Sequence, residues 1–200
     1  MKSLTHSLLL LASPRTAWAM IAARETTSVR VLLQHTMPLA LIPAVCWYFG
    51  VTQQGWQVGD QIMRLTPESA LPMCVMFYFA CVSGVLFMAY MVRWMSTTYA
   101  TEVTFAQATT LISYTATPFF AAGLIGLFPL LWLDITVGIV VACFSIYLLF
   151  TGISPVMRLD AQHSFLYSSA VLALTLILFV ALLTATVLVW DFGPHPEYTY

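Results

Sequence analysis

Charge is what this chain has least of: 7 Lys and Arg and 8 Asp and Glu in 200 residues, 8% of the total, against 60% hydrophobic. A soluble domain carries about 25% charged residues, so water is not the main solvent here. A net charge of -1 leaves no basic face to neutralise a run of phosphates, and nucleic acid is not expected as a partner. Cysteine is scarce too. Cys46, Cys74, Cys81 and Cys143 all lie in apolar runs, with no CxxC pair and no histidine at ligand spacing. Cys74 and Cys81, seven apart, would share a helix face, which admits a redox or metal pair, but packing as small hydrophobes is the expected role.

Catalytic signatures are missing as well. There is no H-E-x-x-H, no G-x-S-x-G and no Walker loop. No catalytic, cofactor-binding or metal residue is assigned, and the chain is read as non-enzymatic. His35 has no evident nucleophile partner and is expected at the cytosolic edge of the first span. The tail places Asp191, His195 and Glu197 near one another, a potential ligand set, but solvated Pro-rich ends commonly hold such residues without ligating anything.

What the chain does have is long uncharged runs. A membrane helix needs about 20 mostly apolar residues to cross about 30 Å of hydrocarbon. Residues 71–92 lie in an uncharged stretch between Glu68 and Arg93, and residues 164–190 form another. Residues 103–157 are too long for one span and divide near Pro129 and Asp134, both of which fit a turn better than a span centre. The segment from Met37 supplies the remaining span, with Pro38 at its start and Pro43 as a kink.

The expected fold is therefore an all-α integral membrane protein. Its five transmembrane helices fall at about 36–52, 70–94, 105–128, 132–154 and 166–190. Residues 1–35 form the cytosolic N-terminal region and residues 191–200 an external C-terminal tail. A cytosolic N-terminus puts Lys2, Arg15, Arg24, Arg30, Arg93 and Arg158 inside and only Arg64 outside, as the positive-inside rule requires. Residues 8–12 and Ala17-Trp18-Ala19 resemble a signal peptide, but the run is short and Pro14 and Arg15 interrupt it, so the N-terminus is expected to be retained.

Ser13-Pro14 reads as a helix start. Trp18, Ile21 and Ala22 then form an apolar stripe, as expected of a short amphipathic helix lying at the cytosolic interface or docked on the bundle.

The third span is the most polar. Thr110, Ser113 and Thr117 share a face next to Tyr114 and Pro118, either as a hydroxyl-lined path or as hydrogen-bonding glue between helices. Small residues recur four apart at Ala80 and Gly84 and at Gly138 and Ala142, letting helices approach closely. No ionisable residue falls near the middle of a span, which argues against a pump. Glu102 is within reach of Arg93 as a plain ion pair, and Asp134 suits a helix N-terminus.

Four segments carry a family likeness: SPRTAWAMI from Ser13, MPLALIPAV from Met37, SYTATPFFAAGL from Ser113 and YLLFTGISPVM from Tyr147. By their order and spacing the chain resembles the Yip1 family of five-span membrane proteins, in its small bacterial branch. The resemblance implies an all-helical domain and a multi-pass address in a bacterial inner membrane. Eukaryotic members are associated with Rab-type GTPases and vesicle traffic. This chain lacks their long cytosolic N-terminal region, so GTPase binding is not expected.

The expected partners are the lipid bilayer and either further copies of the chain or other membrane proteins. The leading functional reading is association in the membrane through small-residue faces. The alternative is a transporter or channel component using the polar third span.

Overall fold

The computed structural model describes residues 9, 10, 12–24, 26–58, 61–98, 103–192 and 197–199. Helix α1 is Pro14–Ala22, with Pro14 in its first turn, where a missing N–H costs nothing. Five helices long and apolar enough to cross a membrane follow. They are α2 (Ser28–Gln54), α3 (Pro67–Ser96), α4 (Phe105–Leu127), α5 (Leu131–Met157) and α6 (Ala161–Phe192). The five expected spans are thus present, with most boundaries shifted by a few residues.

The first span differs most from expectation. Its helix begins at Ser28 rather than near residue 36, so residues 28–35 belong to the span helix. Pro38 does not start it. A π turn over Leu32–Thr36 lets the Met37 N–H donate to the Leu32 carbonyl, widening the ladder just ahead of the residue that has no N–H to give.

Local chemistry fixes the other starts. Thr66 caps α3 by accepting from the Ser69 N–H at 3.3 Å, with Pro67 next. Thr104 and Gln107 form a capping box at α4, with hydrogen bonds of 2.8 and 3.2 Å. Arg158 ends α5 in the left-handed conformation at φ 56°, and the Ser154 hydroxyl donates to the Leu159 carbonyl at 2.8 Å to hold the turn.

The bundle is ordered as lipid solvent demands. α2 and α4, each with mean hydropathy 1.4, are the most enclosed, with 44% of their apolar stretch buried; α6, at 2.8, is the least, at 6%. Lipid is as apolar as leucine, so the more polar helices gain by facing protein. α2 and α4 sit at the centre, flanked by α3 and α5. On the periphery, α6 is held to α3 by the Tyr167 hydroxyl donating to the Val92 carbonyl.

A small antiparallel sheet lies at one end of the bundle and was not anticipated. Strand β1 (Trp56–Val58) pairs with β2 (Gln61–Leu65), and β2 with β3 (Tyr198–Thr199). The sequence signal was the two-residue Gly59-Asp60 connection between them. The sheet joins the α2–α3 connection to the C-terminal end, which places both on one side of the bundle, as an odd number of spans requires.

Candidate functional site

The polar face of α4 turns inward onto α2. Thr36 donates from Oγ1 to Ser113 Oγ at 2.8 Å. His35 Nε2 lies 3.0 Å from Thr117 Oγ1. The Thr117 hydroxyl donates back to the Ser113 carbonyl at 3.4 Å, which leaves its oxygen to accept from Nε2–H. The His35 ring stacks on Tyr114, centroids 4.1 Å apart and planes tilted by 32°. All five of these residues are buried.

His35 therefore departs from expectation. It is 2% exposed, inside the bundle rather than at its edge. The π turn explains how two consecutive residues both reach α4, because the widened backbone brings His35 and Thr36 to the same side. The signal that could have found it is the polar pair itself. Histidine and threonine beside an apolar run imply an internal partner, and the hydroxyls of the third span were the available one.

The remaining polar-face residues do other work. Thr110 is buried but donates to the Ala106 carbonyl of its own helix at 2.7 Å. Pro118 opens the second segment of α4, Thr117–Ala122, after the bend at Ala116.

Trp18 completes the site from below. It is fully buried with Ala17 and Ile21, so α1 is docked on protein through this face. The indole meets Tyr114 edge-on, centroids 6.4 Å apart, and lies in a notch left by Gly152 of α5, where a Cβ would come within 2.4 Å of it. Above the site, α2 and α4 cross on glycine. A Cβ at Gly123 would lie 2.4 Å from Pro43, and one at Gly50 would lie 1.8 Å from the Gly126 carbonyl oxygen.

The proposed small-residue contacts behave differently. A Cβ at Gly84 or Gly138 meets nothing within 4 Å, and Ala80 and Ala142 are only half-buried. Within the chain these residues do not bring helices together. The bundle's own close approaches use Gly50, Gly123 and Gly152 instead.

Among the described residues no group of three His, Cys, Asp or Glu could hold a metal, and the cysteines are free. His195 and the Asp191 side chain lie outside the described residues, as does Glu102. The Glu197 backbone pairs with Thr66 and Ser69 at the start of α3.

The Thr36–Ser113 bond joins two helices in lipid, where such bonds contribute about 0.6 kcal/mol and at most about 1.7. A double-mutant cycle of Thr36→Val and Ser113→Ala, read by unfolding in mixed micelles, should give a coupling of about that size. Strictly additive losses would mean the two hydroxyls do not bond.

These features define a polytopic α-helical membrane protein with a hydrogen-bonded core, a bundle whose four signature segments converge. SPRTAWAMI meets YLLFTGISPVM at Trp18 and Gly152, and MPLALIPAV meets SYTATPFFAAGL at Pro43 and Gly123. The Yip1 domain matches residues 8–182, and the chain belongs to the Yip1 family. It is 34% identical over 160 residues to the inner membrane protein YohC of Escherichia coli K12, covering 80% of this chain and 82% of the relative. The YohC of Escherichia coli O6:H1, strain CFT073, matches with the same identity and coverage. No solved structure matches the chain.

Proposed function

We propose that this protein is a non-enzymatic, multi-pass inner-membrane protein that works by association with further copies of itself or with other membrane proteins, through the small-residue faces of α3 and α5. The N-terminus is cytosolic and the C-terminus periplasmic, the orientation that keeps six of the seven basic residues inside. The observation carrying the proposal is the division among the glycines. Those at α2–α4 and α1–α5 contacts are filled by neighbours, whereas Gly84 and Gly138 face open space. Lipid-facing positions favour large apolar side chains only weakly over small ones, but small residues let a second helix approach closely.

The polar face of α4 supports the same reading over transport. Its hydroxyls at Ser113 and Thr117 are occupied by Thr36 and His35, which leaves them as internal glue rather than the lining of an aqueous path.

Gly84→Leu and Gly138→Leu test the proposal. Each side chain enters open space, so helicity and thermal midpoint should hold while the mass measured by light scattering in mild detergent drops to that of the monomer. Unchanged mass and unchanged co-purifying proteins for both variants would overturn it.

A further inference from the structure

On the sheet side of the bundle the five spans do not close. They surround a cavity of about 610 Å³, within the range of about 300–1,000 Å³ typical of sites for small ligands. Its wall is apolar almost throughout, and small residues hold it open, among them Ala80 of α3, Gly138 of α5 and Ala185 of α6. Phe77 and Leu182 on the same wall are exposed, so the cavity is continuous with the lipid-facing surface. Phe77 stands ten residues beyond Pro67, about 15 Å along α3 at 1.5 Å per residue, well within the depth of the hydrocarbon. The fluid that reaches this cavity is lipid chain.

One wall residue is out of keeping. Asp134, in the first turn of α5, is among the described residues the sole ionisable side chain lining the cavity. Among the described residues its carboxylate has no hydrogen-bond or ion-pair partner. The side chain is exposed in the first turn of α5, so the carboxylate stands open at the sheet end of the cavity, where a charged head group can reach it. An occupant that places hydrocarbon in the cavity and a cation at Asp134 satisfies both halves of the wall.

We infer that this cavity holds one acyl chain of a phospholipid whose primary ammonium head group pairs with Asp134. The chemistry distinguishes head groups. A primary ammonium offers N–H donors for a charge-assisted hydrogen bond to a carboxylate, a quaternary ammonium offers charge without a donor, and a phosphoglycerol head offers no cation. Zwitterionic ethanolamine phospholipid is therefore the occupant, and Asp134 is the residue that selects it.

The test uses the full-length protein, purified in mild detergent and equilibrated with equal amounts of ethanolamine-, choline- and glycerol-headed phospholipids carrying identical chains. Native mass spectrometry then counts the lipid retained per protein. The ethanolamine lipid should be retained about threefold over either competitor, the size expected of one exposed ion pair. Asp134→Asn should level that preference while leaving oligomeric mass unchanged. Ala185→Phe, which fills the cavity, should abolish retention of all three. Equal retention of the three lipids by the unaltered protein, or an ethanolamine preference that survives Asp134→Asn, would overturn the inference. Gly138 lines the cavity and Gly84 does not, so Gly138→Leu bears on both readings, whereas Gly84→Leu should change mass without changing lipid retention, and by that variant this inference and the association reading fail separately.

Discussion

Replacing Gly152 with leucine should release α1 from the bundle. A Cβ there already falls 2.4 Å from Trp18 Cε2 and 2.5 Å from Cζ2, and the indole, fully buried and edge-on to Tyr114, has no room to retreat. Losing a buried tryptophan contact costs about 3–5 kcal/mol. Much of that loss is local, because α1 docks chiefly on α5 and can detach while the spans stay in the membrane. Arg24 is exposed just beyond α1 and reports on this. Trypsin cleavage there should accelerate roughly hundredfold if opening gains about 3 kcal/mol. Combining Gly152→Leu with Trp18→Ala should cost less than the sum of the two, since the leucine then enters space the indole vacated. An unchanged cleavage rate in Gly152→Leu would mean α1 is not seated in this notch.

The second large effect is expected at the α2–α4 crossing. In Gly50→Ala the new methyl would lie 1.8 Å from the Gly126 carbonyl oxygen, and backbone cannot swing aside as a side chain does. Gly50 has ordinary helical angles, φ -60° and ψ -50°. On helix propensity alone the change would stabilise by about 1 kcal/mol. Overpacking typically costs about 1–3 kcal/mol and more when backbone must move, so the sign of the result separates the two. A fall of about 2 kcal/mol or more in micellar unfolding free energy is expected. A rise would show that α2 and α4 do not touch at Gly50.

Both effects lie at positions whose importance is hard to see from composition. Gly123 and Gly126 could as well have loosened the end of the third span as packed it. Gly152 lies in a segment that carries family likeness but no local pattern requiring a glycine. Gly84 and Gly138, which do fit a small-residue spacing, leave open space where a Cβ would stand. Spacing along one helix reports which residues share a face, but whether that face meets protein or lipid depends on a partner helix remote in sequence. His35 teaches the same lesson. Its bond to Thr117 spans 82 positions, and Pro38 made a plausible helix start only because a π turn cannot be read from residue types.

The polar face of the third span was more legible. Thr110, Ser113 and Thr117 recur at intervals that put them on one side of α4, and the structure turns that side inward. What could not be read was the division of labour among them. Thr110 bonds within its own helix, while Ser113 and Thr117 reach α2.

By itself the sequence determined that the chain crosses a membrane five times, because hydrocarbon thickness and the cost of charge set length and placement of each span locally. Tertiary structure alone decided which faces are buried. It seated Trp18 on Gly152, joined His35 to Thr117, and left a cavity beside Asp134, because in lipid no difference in hydrophobicity tells a helix which apolar side to turn inward, and close packing between distant residues makes that choice.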